Sequence, residues 1–150
     1  MTLENDTVPA DTTNNDQALI DFTCTLVRLE SILGDERSVA EHVSREMGRL
    51  LFDHVEIDDT GNVVGVVRGL HDGPTILFDG HMDTVDVVPI NTWTHEPFAG
   101  EVSNGRIWGR GSSDMKGALA AMVYAAAGLE RANLAGSVIV SASVGEESVE

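Results

Sequence analysis

From Asp16 onward the apolar positions Leu19, Phe22, Leu26, Leu29 and Leu33 recur every three or four residues. This spacing predicts one face of an amphipathic helix, stopped at Gly34. A second helix follows from about Glu36, with Val39, Val43, Met47, Leu50 and Leu51 on its buried side. The period then shortens. His54 to Asp58 alternates, Asp59-Thr60-Gly61-Asn62 reads as a turn, and Val63 to Val67 is a second strand. After a turn at His71-Asp72-Gly73-Pro74, the run Thr75-Ile76-Leu77-Phe78 predicts a strand buried on both faces. Residues 84 to about 113 form a long stretch with Pro89, Pro97 and several glycines, and long loops in compact domains are usually functional. An Ala-rich helix from about Met115 to Arg131 and a strand from Ser137 to Val144 complete the order α-α-β-β-β-α-β, an α/β layered sheet. Residues 1 to about 13 are polar and aperiodic and read as a disordered acidic tail, which leaves 14–150 for the fold.

The hydrophobic share of 42 % is enough to bury a core. With 25 acids against 9 bases the net charge is −16, which repels phosphate backbones and anionic lipid and argues against nucleic-acid or membrane-surface partners. The longest mostly apolar stretch, Gly117 to Leu129, is too short to span a bilayer. The first residues carry acids and no bases, the reverse of a secretory signal, so a soluble cytoplasmic protein is the expectation. Cys24 is the only cysteine, which excludes an internal disulfide or a Cys-based zinc cage. Lys116 is the only lysine. Excess acid with so little lysine suits a high-salt, halophilic cytoplasm, and equally a lysine-poor, GC-rich genome.

Three clusters stand where strands end or helices begin: His81-Met82-Asp83, Asp114 and Glu146-Glu147. In open α/β sheets ligands collect at the carboxyl ends of strands, and imidazole with carboxylates is a ligand set for zinc, cobalt or manganese. Each cluster also has a plainer reading. His81 and Asp83 can cap a strand end, Asp114 can be a helix N-cap, and Glu146 and Glu147 can be solvated loop acids. His42, His54, His71 and His95 read as surface or structural residues. Arg110 and Lys116 read as anchors of the loop around Asp114, and Trp93, Phe98 and Trp108 as packing for the long loop.

The wording around these residues favours the chemical reading. Gly80-His81-Met82-Asp83-Thr84-Val85 resembles the G-H-x-D-x-V signature of the M20 metallopeptidase and amidohydrolase family. Trp93, Pro97-Phe98 and Gly100, then Gly105 through Gly117, resemble that family's W-x3-P-F-x-G and G-x-[YW]-G-R-G-x-x-D-x-K-G blocks; Gly145-Glu146-Glu147 resembles its G-E-E. The resemblance implies a zinc-exopeptidase-like, three-layer αβα sheet and two divalent metal ions, zinc or cobalt. His81 would bind one metal, Asp114 would bridge both, and Glu147 would bind the second. Asp83 would stabilise the histidine, and Glu146 would be the general base that makes a metal-bridging hydroxide. A cis peptide after the bridging aspartate, Asp114–Met115, is implied as well. The activity implied is hydrolysis of amide C–N bonds, as a deacylase or exopeptidase on N-acyl amino acids or small peptides.

The family also uses a later acidic ligand and a histidine near its C-terminus, and it carries an inserted dimerisation or lid domain. The sequence ends three residues after Glu147. It therefore reads as the N-terminal portion of an M20 catalytic domain with an open apolar sheet edge. A homodimer of the full-length form or a complementing C-terminal chain would be its protein partner. The competing expectation is a catalytically silent half-domain that binds a metal weakly.

Overall fold

The computed structural model describes residues 12–147. Helix α1 (Thr12–Arg28) and helix α2 (Arg37–Arg49) precede strands β1 (His54–Ile57), β2 (Val63–Arg68) and β3 (His71–His81). A short hairpin, β4 (Glu101–Ser103) and β5 (Arg106–Trp108), leads to helix α3 (Lys116–Ala127) and strand β6 (Ala135–Ser143). The expected tail lies outside the described residues, apart from Thr12 and Thr13, which begin α1.

The main sheet has the order β1-β2-β6-β3. β1 and β2 form an antiparallel hairpin whose turn is organised by Asp58, its Oδ1 accepting the N–H groups of Thr60, Gly61 and Asn62 at 2.8–2.9 Å. β6 pairs antiparallel with β2 and parallel with β3. Because β3 and β6 run the same way, with His81 opposite Ser143, their carboxyl ends open at one place. Alternate residues Val63 and Val67 of β2 and Val138, Val140 and Ala142 of β6 face one core with Leu26, Val39, Val43, Met47, Leu119 and Val123 of the helices. The α/β architecture expected from the sequence is thus present, with helices over the sheet face that carries this core.

Several boundaries differ from the periodicity, each because a tertiary contact outweighs it. α1 ends at Arg28 rather than running to Leu33. Beyond it the fully buried Ser31 donates its Oγ to Met82 O at 2.7 Å, and Thr84 N–H donates to Ser31 O at 2.9 Å, so the segment is drawn out against the loop after β3. α2 ends at Arg49; Leu51 has φ 61° and is exposed instead of facing the core. The turn expected at 71–74 is the start of β3, with a register irregularity between His71 and Thr75. The strand read as buried on both faces is an edge strand: Ile76, Leu77 and Phe78 are about half exposed, since β6 flanks β3 on one side only. That is the open apolar edge expected above. The long loop contains the β4–β5 hairpin, turned by Asn104 (φ 53°) and Gly105 (φ 73°), an Asn-Gly pair that the flanking residues already advertised. α3 stops at Ala127, where the Gly128 N–H donates to Tyr124 O, short of the expected Arg131.

Candidate metal centre

β3 delivers His81 at its last position, and the chain reaches Asp83 two residues later. β6, one strand over, delivers Gly145, Glu146 and Glu147 just past its end. Asp114 comes from the third direction, in the turn before α3. Its peptide to Met115 is cis, as the resemblance implied. The three expected metal ligands meet: one donor atom each of His81, Asp114 and Glu147 lies within 4.8 Å of the others.

The histidine is held from behind. Its ring is buried, and Nδ1 lies 3.0 Å from the Asp83 backbone carbonyl, so Nδ1 donates and carries the proton. Nε2 faces outward, 3.2 Å from Asp114 Oδ1 and 3.6 Å from Glu146 Oε2. Burial by itself would depress the His81 pKa. The Asp83 carbonyl, the Asp114 carboxylate and the charges of Asp83 and Glu146 outweigh it and hold the value above that of ordinary histidine. The Asp83 side chain is fully buried. Its Oδ1 accepts the Glu146 N–H at 3.1 Å and stands 3.5 Å from His81 Nδ1, while Oδ2 accepts the Glu147 N–H at 2.7 Å. By contrast, the Asp114 and Glu146 side chains are 79 % and 62 % exposed, so the cluster has a rigid back and an open front.

This donor set fits a divalent ion. Two donors on one zinc at ordinary bond lengths sit a little over 3 Å apart, which is the His81–Asp114 spacing. A ligating imidazole needs its far nitrogen tied to an acceptor so that the near one offers a lone pair, and the Asp83 carbonyl does this. Asp114, read alternatively as a helix N-cap, makes no side-chain capping bond; the α3 cap position is Met115.

The surrounding residues brace the loop. Lys116, fully buried, donates Nζ to Leu29 O at 2.6 Å, tying the residue two beyond Asp114 to the end of α1. Burial lowers its pKa to about 8. Arg110 donates to Asp86 O at 3.0 Å and stacks over Trp93, with 4.9 Å from guanidinium to ring centre. His95 stacks on Trp108 and bonds Glu101 at 2.9 Å, His71 bonds Ala132 O, His54 bonds Glu56, and His42 stacks on Phe22. These four histidines lie away from the cluster in the roles expected of them. Ser31 was hidden inside an apparent helix and no periodic signal marks it. Among the described residues no helix is long and apolar enough to cross a membrane.

Comparison with known proteins agrees with this geometry. The family profile of peptidase family M20/M25/M40 matches residues 77–150, from β3 through the glutamate pair. Succinyl-diaminopimelate desuccinylase of Cereibacter sphaeroides is 33 % identical over 128 residues, covering 84 % of this chain and 34 % of that protein. Uncharacterized protein YgeY of Escherichia coli K12 is 38 % identical over 104 residues, 69 % of this chain and 25 % of that protein. Among solved structures, the M20 family metallo-carboxypeptidase Sso-CP2 of Sulfolobus solfataricus superposes with a TM-score of 0.71 at 26 % identity, over 85 % of this chain and 30 % of that one. The di-peptidase Dug1p of Saccharomyces cerevisiae shares the fold with a TM-score of 0.74 at 16 % identity, over 91 % of this chain and 33 % of that one. The chain spans about a quarter to a third of the length of these relatives. In motif, in fold and in homology the chain belongs to peptidase family M20, as its N-terminal part.

Proposed function

We propose that this chain supplies one wall of the active site of a metal-dependent hydrolase of amide C–N bonds, a deacylase or exopeptidase acting on N-acyl amino acids or small peptides. The observation that carries the reading is the meeting of His81, Asp114 and Glu147, from three separate segments, at the carboxyl ends of two parallel strands. Divalent ions, zinc or cobalt, would polarise the scissile carbonyl and acidify water there. In this reading His81 holds one ion through Nε2, Glu147 holds a second, and Asp114 shares its carboxylate between them. Glu146 stands on the open side and takes the proton from the attacking water, then returns it to the departing amine. The names desuccinylase and metallo-carboxypeptidase, borne by relatives, put acyl-amide and peptide bonds first among substrates to try.

The 150 residues by themselves present three ligands and an open front. For them the reading is weak binding of one ion and little hydrolysis, with catalysis belonging to the longer form as a homodimer or to a complementing chain. The test takes the longest open reading frame that contains this sequence and measures metal content together with turnover of N-acyl amino acids and dipeptides. Two ions per chain and metal-dependent turnover are expected. Glu146→Gln keeps the metal and loses about 10²- to 10⁴-fold in rate, the range of general-base removal. A purified full frame that ignores added metal, or a Glu146→Gln variant at full speed, overturns the assignment.

A further inference from the structure

We propose that the Asp83 side chain is the positioning residue of the Gly145-Glu146-Glu147 turn, while the histidine is fixed by the Asp83 main chain. The proposal deepens the reading above and rests on it for its consequence. The resemblance assigns the Asp83 carboxylate to His81. The distances divide the work differently: the imidazole Nδ1 is 3.0 Å from the Asp83 carbonyl oxygen but 3.5 Å from the nearer carboxylate oxygen. The carboxylate spends its two oxygens on two consecutive backbone N–H groups, Glu146 at 3.1 Å and Glu147 at 2.7 Å.

Consecutive amides can converge on one anion only where the backbone turns sharply, and Gly145, at φ 73°, is the residue that lets it. The carboxylate is fully buried, so no solvent competes for these bonds, and bonds from N–H groups to an ionised acceptor are the strong kind. One side chain thereby locks the end of β6 to the end of β3 and fixes where both glutamate side chains start. The proton-accepting and metal-holding carboxylates would keep their spacing because their backbones share a single anchor.

Amide hydrogen exchange on the metal-free 150-residue chain, by NMR, tests this without relying on metal binding. In Asp83→Asn one acceptor oxygen is replaced by an NH₂ group that faces an N–H. Exchange at Glu146 and Glu147 should then rise about ten- to a hundredfold, the worth of a charge-assisted bond. The ring-nitrogen shifts of His81 should keep the Nδ1–H form, since its carbonyl acceptor remains. Zinc affinity should fall about ten- to a hundredfold, as for other outer groups that orient ligands. Should Asp83→Asn not fold, the unsubstituted chain still decides: both amide protons should be protected and shifted downfield. Unprotected glutamate amides in the unsubstituted chain, or an Asp83→Asn variant that loses the His81 tautomer while the turn stays protected, overturn the proposal. Loss of zinc binding in the unsubstituted chain with both amides protected would instead count against the metal reading.

Discussion

Glu147→Gln should move stability in opposite directions with and without metal. In the metal-free chain the Glu147 and Asp114 carboxylates have oxygens within 4.8 Å of each other. Two unit charges at that distance repel by about 0.9 kcal/mol in water and about 3.5 kcal/mol at an effective dielectric constant of 20. The Asp114 side chain is 79 % exposed, so the figure near the water limit, about 1 kcal/mol, is the appropriate one. Glutamine keeps the shape and removes the charge. For a chain of this size the relief raises the melting temperature by about 2–4 °C. It should vanish in 1 M salt, where the screening length of about 3 Å is shorter than the gap. Zinc at a hundred times its dissociation constant stabilises the unsubstituted chain by about 2.7 kcal/mol, or about 5–10 °C, and the variant should lose most of that gain. Thermal unfolding at pH 8, with chelator and with zinc, in low and high salt, reads all four conditions. A variant that melts lower than the unsubstituted chain in chelator and keeps the full zinc shift would refute the reasoning, because Glu147 would then neither face Asp114 nor hold the ion.

Two further substitutions probe the scaffold. Lys116 is fully buried and its folded pKa is lowered to about 8 by burial, against 10.5 in the unfolded chain. Between those values the unfolded chain holds a proton that the folded one has released, so stability attributable to Lys116 rises with pH from about 8 upward. Denaturant unfolding at pH 7, 8, 9 and 10 should show the unsubstituted chain gaining on Lys116→Met as pH increases, and parallel curves would contradict the buried-ammonium account; Tyr124, which burial and Glu46 push up to about 12, cancels in the comparison. Gly65 sits under α2, where an added Cβ would lie 2.5 Å from Met47 Sδ and 2.8 Å from Phe52, so Gly65→Ala should cost about 1–3 kcal/mol. Its urea midpoint should fall with an unchanged slope, whereas a neutral result would mean that the α2–sheet contact is looser than described.

The candidate site was more legible in the sequence than the fold around it. Its residues sit in short strings of fixed spacing, and those strings survive because each atom has to reach one point: His81 at the end of β3, Asp114 before α3, Glu147 after β6. Helix faces were also readable, since Leu26, Val39, Val43 and Met47 do face the core. What periodicity could not show were choices made by distant partners. Leu29 and Leu33 continue the helical spacing, yet the backbone leaves the helix because Ser31, Thr84 and Lys116 offer its groups better partners. Ile76, Leu77 and Phe78 look like a doubly buried strand because apolar content reports what a strand is suited to meet, and β3 has a neighbour on one side only. The division of labour at Asp83 was beyond reach for a similar reason. Spacing placed the residue beside His81, but only the fold brings two amides from 63 and 64 residues away onto its carboxylate.

The central claim is that His81, Asp114 and Glu147 surround one place where a divalent ion binds. Anomalous diffraction at the zinc edge, from crystals of this chain grown with zinc, tests it most directly. A peak at bonding distance from His81 Nε2 and from carboxylate oxygens of Asp114 and Glu147, absent in His81→Ala, is the predicted result. Zinc bound only at other acidic patches of this highly charged chain, with the three side chains pointing apart, would contradict it.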